Sequence, residues 1–379
     1  MESPKNLTVK DAGTLEGSPL GGMQARLASA IRSDWLPMLQ EISSQIPELA
    51  PFLSEYLQVR VVIDANVVHK ELQWRLQSRR KADARTRLEE AAIAQVLILF
   101  APTHLDSEIQ EHLAEIAARS GSTVEAAEAE WKQFRSRLHF YTPRSLSLGH
   151  GIAVVDPDDL PYIAACHELG AHAVYSRDKH FKQMKAPVIS VAIDASLQSY
   201  SRATTVRLAA MVGSTFTITV GTNAIEAAGR KIGKAFQFFR RLHPLLQIAI
   251  LAGLVLAFTN RNLRKKFAEF FRLLAKFARP VFEAVLLMAE QFQIESMKIQ
   301  IAESEIRALL PRARKRSALT HARAICLLRR KPMSCAEIET QMKAEGYVSS
   351  ARDFPAYLTR ILRESAQFNE DAHGRWSLI

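Results

Sequence analysis

Four acidic residues stand where the chain leaves an apolar run or enters a helix-like one: Asp64, Glu108, Asp159 and Asp178. Carboxylates this far apart converge only if a fold presents the ends of several strands along one edge. Brought together without a cation they repel one another, and some take up protons. An oxygen-only donor set of this kind suits Mg²⁺ or Mn²⁺ rather than Zn²⁺. The chemistry on offer is the binding of a divalent cation.

The flanking residues supply the positioning elements. Val59, Val61, Val62 and Ile63 read as a strand buried on both faces, and Asp64 follows directly. Leu97 to Phe100 is a second strand-like run, followed by the turn-former Pro102 and a helix opened by Glu108. Ala173, Val174 and Tyr175 form a third, with Asp178 at its exit. Leu160 to Leu169 has helical spacing, and Asp159 sits at its start, where the helix dipole favours a carboxylate. Acids at the carboxyl edge of an open α/β sheet lie where such sheets bind ligands. A single Asp after a strand is more often a helix cap, so the weight rests on the four together. Asp106 competes with Glu108 as the second acid, because the insert after Asp64 is long and charged. His69 and His104 lie close in sequence without a ligand spacing.

Ile63-Asp64-Ala65-Asn66-Val67, Glu108, Asp156-Pro-Asp-Asp-Leu-Pro-Tyr-Ile-Ala-Ala165 and Ser176-Arg-Asp-Lys-His-Phe181 together resemble the PIN-domain nucleases over roughly residues 59–193. The resemblance implies a three-layer α/β/α domain with a central parallel sheet and a Mg²⁺- or Mn²⁺-dependent nuclease. Asp64, Glu108, Asp159 and Asp178 match the family's acidic positions as catalytic and metal-binding residues. Asp64 and Asp159 are the first choices as direct ligands, while Glu108 and Asp178 act through water. Asn66, Ser176 and Asp156 are supporting residues. The implied reaction is phosphodiester hydrolysis, with RNA the expected substrate by analogy with most nucleases of this kind.

Charge is divided unevenly along the 379 residues. Residues 1–199 carry 21 Lys+Arg against 25 Asp+Glu, and residues 200–379 carry 29 against 14. An acidic half joined to a basic one separates metal binding from polyanion binding, although a basic half also suits anionic lipid. Within the insert Arg75 to Leu88, Arg79, Arg80 and Lys81 are either a solvated helix face or phosphate contacts beside the acids. Three cysteines without metal spacing indicate buried, reduced thiols in a cytosolic protein.

The remaining organisation is a tail over 1–22, helices over 23–58, the α/β domain over 59–199, a basic helical region over 200–311, and a terminal domain over 317–379. Residues 242–258 are strongly apolar. Seventeen helical residues span about 25 Å against roughly 30 Å of hydrocarbon, so a membrane helix and a buried bundle or oligomer helix both fit. A long amphipathic helix is expected over 267–310, interrupted near Pro280.

In the terminal domain, Ala318 to Arg330 forms one helix and Ser334-Cys-Ala-Glu337 is a capping box for a second, closed by Gly346. A third is capped by Ser349 or Ser350, with Phe354, Leu358, Ile361 and Leu362 buried and Arg352, Arg360 and Arg363 outside. A hairpin over 368–379 turns at His373-Gly374 and places Trp376 in the core. The pattern resembles winged-helix modules, which implies a third helix for DNA or RNA binding. The expected protein is thus a cytoplasmic endoribonuclease, with association at the inner face of a membrane and homo-oligomerisation as open alternatives. The competing class is a non-catalytic regulator that keeps the fold as a binding platform.

Overall fold

Parallel strands cannot be joined by tight turns, so a chain that alternates short apolar runs with helical stretches must build its sheet through crossovers. The computed structural model describes residues 32–45, 56–79, 84–144, 154–212, 290–311 and 316–379. Its larger sheet has five parallel strands: β1 (Val59–Ile63), β2 (Leu97–Pro102), β3 (His139–Tyr141), β4 (Ala173–Tyr175) and β5 (Val188–Ile189). Their order is β3-β2-β1-β4-β5. β1 is buried along its whole length, as Val59, Val61, Val62 and Ile63 require, and Arg60 is buried with them. β2 continues past Phe100 to Pro102, because the missing Pro N–H is tolerated at the last ladder position.

The order sets the place of a site. From β1 the chain moves outward to β2 and β3, then returns to the far side of β1 for β4 and β5. The direction therefore reverses between β1 and β4, and the crevice at their carboxyl ends is where open α/β sheets take ligands. The helices Ala65–Gln77, His104–Arg119 and Val124–Arg135 pack on one another, and Leu160–Glu168 packs across β1, β2 and β4. This is the expected α/β fold with a parallel sheet.

Within the charged insert, Arg75 and Arg79 are paired with acids of neighbouring helices. Arg75 is 3% exposed and holds Glu89 at 2.9 Å and Glu130 at 3.0 Å. Arg137 reaches the same Glu89 oxygen at 2.8 Å, and Arg79 pairs with Glu130. These guanidiniums form a buried network that ties three helices together. Arg80 and Lys81 lie outside the described residues.

Residues 317–379 fold as three helices, Ala318–Arg329, Cys335–Ala344 and Phe354–Glu364, with a small antiparallel sheet. Its strands are β6 (Met333–Ser334), β7 (Phe368–Glu370) and β8 (Arg375–Leu378), in the order β6-β8-β7. The Ser334/Glu337 capping box is present, and Trp376 joins Phe354, Leu358 and Leu362 in the core, with Ile361 at its margin. The third helix is capped by Asp353, whose carboxylate accepts from Ala356 N–H at 3.1 Å, rather than by Ser349 or Ser350. Ser349 instead accepts from Ala351 N–H within the preceding turn.

Residues Ser33–Arg202 and Lys298–Ile379 form one compact unit. Arg60 Nη2 meets Glu345 Oε1 at 2.6 Å, Arg330 donates to Leu138 O at 3.0 Å, and Gln367 donates to Tyr141 Oη and Glu168 Oε2, both at 3.1 Å. Gly170 sits at φ +59°, and a Cβ there would come within 2.5 Å of Thr320 Cγ2. Gly170→Ala is therefore expected to lower stability by about 1–3 kcal/mol, through a left-handed backbone and this clash, measured by urea unfolding.

In the second unit, which takes in Met1–Arg32 and Ala203–Met297, residues 203–212 and 290–297 are helical and Arg207 lies 6.0 Å from the Phe292 ring centre. The expected tail, the apolar segment 242–258 and the break near Pro280 fall outside the described residues. No helix among the described residues is long and apolar enough to cross a membrane. Cys166 and Cys326 are buried, Cys335 is partly so, and none forms a disulfide.

Candidate metal centre

Asp64 ends β1 and stands at the N-cap position of Ala65–Gln77, yet its side chain makes no capping hydrogen bond. Asp159 stands likewise at the start of Leu160–Glu168 without capping it. The structure thus sets aside the commonest use of an Asp in such positions. Capping is carried elsewhere by Thr86, Thr123 and Asp353, whose side chains do accept the helix N–H groups.

What holds Asp64 is the exit from β4. Ser176 Oγ donates to Asp64 Oδ2 at 2.5 Å and accepts from Asn66 Nδ2 at 3.2 Å and from Asp178 N–H at 2.9 Å. Asn66 Oδ1 also accepts from Arg177 N–H at 3.4 Å. One buried hydroxyl therefore ties the ends of β1 and β4 together. Asn66 and Ser176 meet here, and their contacts orient the first acid.

The other acids share its electrostatic field. Asp64 is 6% exposed, and burial, then Glu108 and Asp178, push its carboxyl up to about 6 against the opposing Ser176 bond. Burial, then Asp64, Asp156 and Asp178, push Asp159 up to about 7. Glu108 is anchored by the Tyr162 hydroxyl, which donates to Oε2 at 2.8 Å, and the His104 ring packs edge-on against Tyr162. Asp178 Oδ1 accepts from His180 N–H at 2.9 Å and lies 3.6 Å from His180 Nδ1.

Asp106, the competing second acid, faces elsewhere. It takes both Arg135 nitrogens, at 2.8 and 2.9 Å, and the Trp131 indole N–H at 3.1 Å. The side chains are partly exposed, so Asp106→Asn should cost no more than about 1 kcal/mol and leave any metal-dependent activity in place. Parallel unfolding and activity measurements on that variant check both statements.

The tightest cluster of metal-ligand atoms among the described residues is Asp156, Asp159 and His180, mutually within 4.8 Å. Asp156 also accepts from Asp158 N–H at 3.0 Å, capping the short turn that carries Asp159. His180 was missed from sequence. Its only signal is its place two residues after Asp178, at the mouth of a strand-exit loop. A divalent cation fits this donor set: Asp159 Oδ2 is buried and has no hydrogen-bond partner among the described residues, and burial, then the surrounding acids, hold its carboxyl up.

Beside the cluster, Arg177, Lys179 and Lys182 line a cavity of about 230 Å³ at the carboxyl ends of β4 and β5. These cations also escaped the sequence pattern. Arg352, Arg360 and Arg363 are exposed, with Arg360 over the Tyr357 ring and Arg363 3.0 Å from Glu370. His69 stacks edge-on to His112, and among the described residues neither belongs to the ligand cluster.

Residues 62–188 match the family model of the PIN domain. The match runs from within β1 to the first residue of β5 and takes in all four expected acids. PIN domains are generally nucleases and usually use divalent metals. No curated protein and no solved structure gives a match.

Proposed function

We propose that the chain is a metal-dependent endoribonuclease whose divalent cation is held by Asp64 and Asp159, with Asp156 and His180 completing the donor set. The observation that carries this is Asp159, a carboxyl pushed up to about 7 among three other acids, with an orphaned oxygen. Bound Mg²⁺ or Mn²⁺ would supply a Lewis acid for the phosphodiester and lower the pKa of a water. The chain does the rest. Ser176 fixes Asp64 Oδ2, which holds the carboxylate in one orientation. Glu108, fixed through Oε2 by Tyr162, has Oε1 to orient the attacking water and receive its proton. Asp178 sets the loop that carries His180. Arg177, Lys179 and Lys182 grip the phosphates that flank the scissile bond.

Three helices with the strand order β6-β8-β7 support a winged helix over 317–379 that offers Arg352, Arg360 and Arg363 to nucleic acid. The proposed location is the cytoplasm. Attachment through 242–258 is tested by extraction of membranes with and without detergent.

The activity test is cleavage of structured RNA, single-stranded RNA and DNA in Mn²⁺ and in EDTA. RNA cleavage restricted to Mn²⁺ supports the assignment. Folded protein that cuts none of the three would move it to a nucleic-acid-binding platform, and DNA cleavage alone would replace the substrate.

A further inference from the structure

The carboxylates occupy one edge of the larger sheet. At the opposite ends of β1 and β4, a polar cleft of about 480 Å³ opens between the sheet and the C-terminal segment. It lies beside the start of β1, where Arg60 emerges, and beside His172, which precedes β4. Arg316 and Glu345 close it from the C-terminal side.

Arg60 is 3% exposed, a rare position for a guanidinium. Its Nη2 meets Glu345, but Nη1 has no hydrogen-bond partner among the described residues. His172 Nδ1 lies 2.9 Å from the Arg60 backbone N–H and 3.2 Å from the Arg60 carbonyl oxygen, so the ring is held on the Arg60 backbone in either tautomer. Burial and Arg316 hold His172 down to about 4, so the ring is neutral at pH 7. Nε2 lies 3.2 Å from Arg316 Nη2, which brings the second guanidinium to the same wall of the cleft. Glu345 neutralises one of the two guanidiniums. The cleft keeps a net positive charge and, in Arg60 Nη1, a buried N–H donor without an acceptor among the described residues, a costly arrangement unless a ligand supplies one.

We propose that this cleft binds a phosphorylated small molecule of nucleotide size. Two guanidiniums from separate elements, Arg60 with an unused Nη1 and Arg316, suit the several oxygens and the charge of a phosphate. Gln40, Gln58 and Gln341 line the same space and offer amide donors and acceptors to the uncharged remainder. The volume falls in the range of small-molecule sites, about 300–1,000 Å³. A neighbouring cavity of about 460 Å³ shares Gln58, Gln341 and Glu345 and adds Arg137 and Arg330, so a second phosphate has cations within reach. The occupant would bridge the sheet and the C-terminal helices from the edge remote from the acids.

The test is thermal denaturation of the full chain in EDTA, where no cation can hold phosphate at the carboxylates. Inorganic pyrophosphate and nucleoside mono-, di- and triphosphates are titrated separately. A saturable rise in Tm is expected. Arg316→Gln, a change at the margin of the cleft, is expected to weaken apparent affinity by about tenfold or more, while Asp159→Asn leaves it unchanged. A response to pyrophosphate equal to that of the nucleotides would assign recognition to phosphate alone. A response to nucleotides only would assign the remainder to the glutamines. The proposal is overturned if no probe raises Tm up to millimolar concentration, or if Arg316→Gln binds as tightly as wild type. Arg60→Gln serves as a second arm where circular dichroism shows it folded.

Discussion

Asp159→Asn is expected to lower Mn²⁺-dependent RNA cleavage by about three orders of magnitude, roughly 4 kcal/mol of transition-state stabilisation. The amide keeps the size of the side chain but loses the charge that would bind the cation. Asp64→Asn should do the same, and the double variant should lose little more than either single one, because residues that act as a unit are not additive. Neither loss would come from unfolding. Each change removes one of several mutually repelling acids, so the metal-free variants should be at least as stable as wild type. Cleavage rates measured beside urea unfolding separate the two effects. Full activity in Asp159→Asn would remove it from the metal site.

The second large effect concerns stability and pH. Asp64 and Asp159 are raised to about 6 and about 7 in the folded chain, against an ordinary value near 3.8. Both bind a proton more tightly folded than unfolded. Their contribution is fully present below about pH 4 and is lost as pH rises through 6 and 7. Half-buried Glu71 and Asp194, at about 7 and about 6, act in the same direction. His139 and His172, both held down to about 4, act oppositely below their ordinary 6.5. The clean observable is therefore the difference between Asp159→Asn and wild type in EDTA. The variant should gain relative stability between pH 5 and pH 8, and saturating Mn²⁺ should erase or reverse that gain by stabilising wild type alone. A difference that stays flat across this range would mean that Asp159 carries no raised pKa.

How much of this was legible in the sequence depends on the range of the interaction. β1 could be read because Val59 to Ile63 is an unbroken buried run, and the crevice followed from an acid directly after it. The Ser334/Glu337 capping box and the Trp376 core position are local and could also be read. Asp353 displaced Ser349 and Ser350 as a cap because the helix starts at Phe354, three residues after the start a Ser350 cap would give. The role of Arg75 was hidden, since its partners Glu89 and Glu130 lie far along the chain and a charge run looks solvated until its helices pack. Asp106 and Glu108 are two positions apart on one helix, and only the turn of that helix sends one to Arg135 and the other to Tyr162. His180 belongs with Asp156 and Asp159 through the parallel sheet alone. The cleft at Arg60 had no sequence signal, because its donors come from β1, the approach to β4 and the C-terminal segment.

The central claim is that these carboxylates hold the divalent cation used in cleavage. Its most direct test is anomalous scattering at the manganese edge from crystals soaked in Mn²⁺ at pH 7.5, for wild type and Asp159→Asn. A peak bonded to Asp159 in wild type and absent from the variant is the expected result. A peak bound to other residues, at a concentration that supports RNA cleavage, would contradict the account.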